Sequence, residues 1–198
     1  MSSIPELTGG RAINHGIGML VDHGRGAGSK MYVGGQANAD VAAGSTTATS
    51  DAENECTEYA IPANTLVAGS TSRVRWVTVT SVQNSTDTLI TRLRFGTSTT
   101  ASSNTELALN AAVDQVVADF SVGDMIIQIR TATTAVAFGT ISDSDALGTK
   151  LVSAQFEPSF TVDVTAVNYI NVTTLFSTTG ANLATTQGFV VDIVNPST

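Results

Sequence analysis

From Tyr59 to Gly96 the chain reads YAIPANTLVAGSTSRVRWVTVTSVQNSTDTLITRLRFG, and this stretch limits the fold more than any other. Thr71 to Val82 is dense in Val, Thr and Trp, residues that suit a pleated, half-buried surface. Leu89 to Phe95 alternates, with Leu89, Leu93 and Phe95 on one face and Arg92 and Arg94 on the other. Between these runs stand the turn signals Pro62-Ala-Asn-Thr, Val67-Ala-Gly and Asn84-Ser-Thr-Asp. The stretch therefore predicts strand, tight loop, long strand, tight turn and long strand, with the last two strands able to pair as a hairpin.

The pattern continues downstream. Strands are expected at Thr57 to Ile61, Met125 to Arg130, Thr133 to Ile141, Lys150 to Phe156, Ser159 to Val164, Tyr169 to Ser177 and Gly188 to Val194. Met125, Ile127 and Ile129 are predicted inward, with Gln128 and Arg130 outward; Phe189, Val191 and Ile193 share one face. Glu106 to Ala118 is ambiguous, because Ala, Leu and Glu favour helix while its valines fit a short strand. Eight to ten strands with no helix long enough for a βαβ unit point to an all-β fold. The expected form is an antiparallel β-sandwich of the jelly-roll type, spanning residues 57–198.

Residues 1–56 differ in character. Nine glycines between Gly9 and Gly35 interrupt any long helix or strand. Yet Ile13, Ile17, Met19, Leu20, Val21, Met31, Tyr32 and Val33 form short apolar knots that a disordered linker would lack. The segment is expected to be an extended N-terminal arm that docks through these knots, followed by a low-complexity spacer at Ala42 to Asp51.

Charge narrows the function classes. Only 13% of residues are charged, so Thr, Ser, Asn and Gly must cover the surface. A net charge of −8 argues against nucleic acid and against an anionic membrane as partners. MSSIPELTGG has no basic region followed by an apolar run, so no signal peptide is expected and synthesis in a cytoplasm follows. Asn84-Ser-Thr and Asn171-Val-Thr are then incidental matches to the glycosylation triplet. The lone Cys56 excludes an internal disulfide and reads as a small hydrophobe.

Reactive constellations are scarce. His15 and His23 both fall in the Gly-rich arm, where a catalytic or metal geometry is hard to hold. Asp143-Ser-Asp145 offers oxygen ligands to Ca²⁺ but lacks the glycine and distal glutamate of a calcium loop, so an exposed loop is preferred. No enzyme activity, cofactor or metal is expected. Arg73, Arg75, Arg92 and Arg94 stand out in a cation-poor chain. If their two strands pair, the four guanidinium groups meet on one outward surface that fits the carboxylates of a neighbour.

Several words of the sequence resemble tailed-bacteriophage virion proteins. IPANTLVAG at 61–69, RVR at 73–75, NSTDTL at 84–89, LRFGT at 93–97, INVTTLFS at 170–177 and FVVDIVN at 189–195 carry the resemblance, which covers roughly residues 57–195. That family comprises jelly-roll capsid decoration (cement) proteins and related β-sandwich fibre heads. The resemblance implies a homotrimer or other symmetric cluster on a capsid, with the major capsid protein as partner and the virion as location. It carries over no catalytic residue, and the arm lies outside it. A receptor- or glycan-binding fibre head and a shell-forming capsid protein are the alternatives.

Overall fold

The architecture comes from a computed structural model, which describes residues 12–15, 18–22, 30–33, 45–48, 52–82, 87–110, 113–114, 117–144, 150–153, 155–156, 159–177 and 182–194. Side chains are described within 52–80, 82, 87–110, 117–143, 159–177 and 182–194.

Sixteen strands are present among the described residues. They are β1 (Ala12–His15), β2 (Gly18–Asp22), β3 (Lys30–Val33), β4 (Ser45–Ala48), β5 (Asn54–Ile61), β6 (Thr71–Val82), β7 (Thr88–Gly96) and β8 (Thr105–Leu109). They continue with β9 (Val113–Asp114), β10 (Phe120–Ile129), β11 (Thr134–Ser144), β12 (Lys150–Ser153), β13 (Gln155–Phe156), β14 (Phe160–Thr161), β15 (Asn168–Phe176) and β16 (Asn182–Val194). One 3-10 turn, Ala101–Ser103, interrupts the connection before β8. Glu106 to Ala118 yields two strands, β8 and β9. Sheet pairing with β7 overrides the helix propensity of its Ala, Leu and Glu.

All pairings are antiparallel, and the strands sort into two sheets that pack together as a β-sandwich. The larger has the order β1-β2-β3-β16-β6-β10-β11-β12, with β4 also on β16 and β14 also on β11. The smaller has the order β13-β8-β7-β15-β5, with β9 also on β7.

The expected hairpin of Thr71 to Phe95 is not formed. β6 belongs to the large sheet and β7 to the small one, so these consecutive strands lie in different sheets. The same holds for β5 and β6. Both long strands have one buried face, and a turn signal leaves open whether the next strand pairs with its predecessor or faces it across a core.

The core lies between the sheets. Trp76, Phe95, Met125, Ile127, Ile129, Ile141 and Ile170 are all at most 1% exposed. Phe95 meets Phe160 edge to face, with ring centroids 5.6 Å apart. The inward assignments of Leu89, Leu93, Phe95, Met125, Ile127, Ile129, Phe189, Val191 and Ile193 agree with their burial.

Toward the end of the sandwich where β7 begins and β10 begins, the interior becomes polar. Thr78, Thr80, Asp87, Thr91, Asn110, Ser121, Asp143 and Asn182 are buried there. Buried polar groups persist only when hydrogen-bonded. Asn182 Nδ2 accordingly donates to Asp87 Oδ2 at 2.7 Å, and Asn110 Nδ2 donates to both Asp143 oxygens at 2.9 and 3.0 Å.

Of the segment expected as an arm, β3 pairs with β16 through Val33↔Asp192 and Tyr32↔Ile193. β4 pairs with the other half of the same strand, Ser45 to Ala48 against Asn182 to Thr185. β1, β2 and β3 form an antiparallel meander.

Candidate functional site

The four arginines occupy two separate surfaces. Arg73 and Arg75 lie on β6, on the outer face of the large sheet; Arg92 and Arg94 lie on β7, on the outer face of the small sheet. The expected single cluster is therefore corrected to two, because β6 and β7 belong to opposite sheets.

The small-sheet arginines are half-hidden. Side-chain exposure is 14% for Arg92 and 12% for Arg94. Arg94 forks onto Glu53, Nε to Oε1 at 2.5 Å and Nη2 to Oε2 at 2.8 Å, and its Nη1 donates to the Asn104 carbonyl at 2.8 Å. Arg92 lies 2.8 Å from Glu106 and 3.5 Å from Glu53. Thr173 Oγ1 donates to Glu53 as well.

Burial alone pushes the Glu53 carboxyl up. The hydrogen bonds from Arg94 and Thr173 and the charges of Arg94 and Arg92 outweigh it, holding Glu53 below the usual glutamate range. Glu53 immediately precedes β5, so the network fixes the point where the chain enters the sandwich.

A chain of amides extends this network. Asn171 Nδ2 donates to Glu55 at 3.0 Å and Glu58 at 3.1 Å, and Asn171 Oδ1 accepts from Asn104 Nδ2 at 2.9 Å. Burial, reinforced by the charge of Glu58, raises the Glu55 carboxyl despite the bond from Asn171. Asn104 also closes its own loop, accepting from the Ser98 amide and donating to the Ser98 carbonyl, both at 2.9 Å. Gly96 leaves room for it, since a Cβ there would lie 2.4 Å from Asn104 Oδ1.

The large-sheet arginines are exposed. Arg73 binds Asp124 through Nε at 2.8 Å and through Nη2, and Arg75 Nη2 reaches Asp192 Oδ2 at 3.0 Å. The Arg73 hydrogen bond, with the charges of Arg73 and Arg75, holds Asp124 below the usual aspartate range against the opposing effect of burial. Around these pairs the outward residues are largely apolar: Val77, Val122, Ile126, Val136, Phe138 and Val190. An open hollow of about 350 Å³ lies among Val77, Val122, Val190 and Gly188.

Asp143 does not sit in an exposed loop. β11 continues through Ser144, and Asp143 points inward at 2% exposure, hydrogen-bonded by Asn110 and Ser121. Burial pushes its carboxyl up, although those two bonds act the other way. Asp145, the other half of the calcium candidate, lies outside the described residues. Among the described residues no group of three His, Cys, Asp or Glu is placed to hold a metal. Cys56 is buried, 3.4 Å from Thr174 Oγ1.

Ile13 falls in β1, Met19, Leu20 and Val21 in β2, and Met31, Tyr32 and Val33 in β3. His15 ends β1, while Ile17 and His23 lie outside the described residues.

Sequence reasoning singled out Arg92 and Arg94 but missed their partners. Glu106 alone left a usable signal, as an acid in the strand that follows Arg92 and Arg94 and pairs with theirs; Glu53, which precedes β5, is two strands away in the sheet. Asn104, Asn171 and Thr173 left none, because their roles depend on cross-strand register. Compared with known protein families, the chain matches none, and no curated protein matches it.

Proposed function

We propose that this chain is a non-enzymatic virion structural protein of jelly-roll architecture, a capsid decoration (cement) protein that stabilises a phage head by bridging capsomers. The observation that carries the reading is the strand order. β3-β16-β6-β10 faces β5-β15-β7-β8, and β5, β6 and β7 fall alternately in the two sheets. Eight antiparallel strands in this order fit the two Greek keys expected of a jelly roll, an architecture shared by viral capsid and lectin domains. Fold alone does not establish function. The phage-like words in β6, β7, β15 and β16 supply the second support.

On this reading β3 is the first strand of the jelly roll. The pairing of β1 to β4 into the large sheet leaves less of residues 1–56 as an arm, and the anchoring role falls to the part preceding β1 together with the β1-β2-β3 meander at the edge of that sheet. The partners are the major capsid protein and further copies of this chain, with a trimer as the expected cluster and the capsid surface as the location. The test is to add purified protein to capsids that lack it. Binding in numbers comparable to the capsomers, with a raised capsid melting temperature, is the expected result. No binding, or only a handful of copies per particle, overturns it.

A receptor- or glycan-binding fibre head is the second reading. It is favoured by a hollow of about 240 Å³ at the opposite end from the polar core, lined by Thr97, Ser98, Ser103, Thr161 and Asp163. Specific, competable binding on a glycan array would put this reading first. Copy number per virion also separates both from a shell-forming protein.

A further inference from the structure

We propose that the outer face of the large sheet is a contact between copies of this chain, in which Phe138 of one copy enters the hollow beside Gly188 of another. Three observations meet on this face.

The first is charge. The chain carries −8, yet at the centre of this face the described charged side chains are two arginines and two aspartates, which cancel, with Arg130 beside Gln128 at its end adding one positive charge. Two like-charged bodies approach with least repulsion where each is neutral. A strongly basic partner, or nucleic acid, finds no counter-charge here.

The second is the state of those charges. Arg73 is already bound to Asp124 and Arg75 to Asp192, so covering the face strands no unpaired ion. Arginine is also the cation enriched in interfaces, where lysine is depleted.

The third is shape. Phe138 is 46% exposed and Val122 37%, large values for apolar side chains in mid-strand. β16 has a register shift between Thr186 and Gly188, and Gly188 comes opposite Val77, which is in turn opposite Val122. With no side chain at Gly188, the row sinks into the 350 Å³ hollow. A protruding aromatic and an apolar hollow thus lie on one surface, and in a twofold contact a second copy supplies the complement of each, a contact distinct from the one that would close a trimer.

The same geometry provides variants that spare the fold. A Cβ at Gly188 meets nothing within 4 Å, so Gly188→Leu starts its side chain in open space beside the hollow. Phe138→Ser removes a side chain that lies outside the core. Sedimentation velocity on the full chain over a concentration series reads self-association, with circular dichroism as the check on folding. The wild type is expected to self-associate, and each substitution to weaken that by roughly tenfold or more. A monomeric wild type, or self-association that either substitution leaves unchanged, overturns the proposal. A wild type that is monomeric alone but loses capsid binding on either substitution also overturns it, assigning the face to the capsid. This contact deepens the assembly role proposed above, yet the two fail separately. Intact self-association with no capsid binding strikes only the decoration reading.

Discussion

Gly123 of β10 stands directly opposite Trp76 of β6, and the indole occupies the space where a side chain of Gly123 would project. A Cβ at Gly123 would lie 2.1 Å from two ring carbons of Trp76, itself 1% exposed. Gly123→Ala therefore overpacks the core and should cost about 1–3 kcal/mol. For a chain of this size each kcal/mol lowers Tm by roughly 2–4 °C. Trp76 is the sole tryptophan, so its emission reports the site directly. An unchanged Tm and emission maximum would show that the pairing tolerates the extra methyl.

The two arginine networks should respond differently to loss of a partner. Glu53→Gln removes the charge between Arg92 and Arg94, which are too enclosed for water to replace it. The expected loss is about 1.5–3 kcal/mol, read from denaturant unfolding. Arg73→Gln breaks a pair that water and salt already weaken, and should leave the unfolding midpoint nearly in place. Equal effects of the two substitutions would contradict the difference in burial.

Two carboxylates should give opposite slopes of stability against pH. Glu53 is held below its ordinary value. Its contribution is present above the unfolded glutamate pKa of about 4.3 and is lost as pH falls through the lower folded value. Asp143 is raised. The folded state then holds its proton more tightly than the unfolded chain, so its contribution is full below about pH 3.9 and is lost as pH rises through the folded value. Thermal melts from acid to neutral pH check this. The wild type should gain on Glu53→Gln as pH rises and lose ground to Asp143→Asn. A flat difference for either variant refutes the assignment of that residue.

Gly69 offers a backbone test. Its φ is +92°, a left-handed conformation, and the space around a Cβ there is open. Gly69→Ala should therefore destabilise by roughly 1 kcal/mol through backbone strain alone. A gain in stability would mean that the turn relaxes to a negative φ.

Local alternation made the inward faces of β7, β10 and β16 legible, since Leu93, Ile127 and Val191 needed only a period of two. It also placed Arg92 and Arg94 outward. Sheet membership was not legible, because Leu89 to Phe95 has the same pattern whether it pairs with β6 or faces it across a core. The inward place of Asp143 is hidden for a related reason. Ser142-Asp-Ser-Asp is turn-like in isolation, and only Asn110 and Ser121, brought from other strands, make an inward carboxylate tolerable. Asn104 and Asn171 were invisible because an amide's role depends on what stands opposite.

The alternation of β5, β6 and β7 between sheets also sets how the chain must fold. Neighbours in space are distant in sequence: the Arg75–Asp192 and Asn171–Glu55 contacts span 117 and 116 residues. Such loops must close before their contacts repay the lost entropy, which places the protein among slow folders. β16 lies between β3 and β6, so until it arrives the large sheet has an open slot edged by unpaired backbone. A chaperone, or dilution, should therefore raise the yield of native protein more than any surface substitution, because the vulnerable species is the chain still waiting for its final strand.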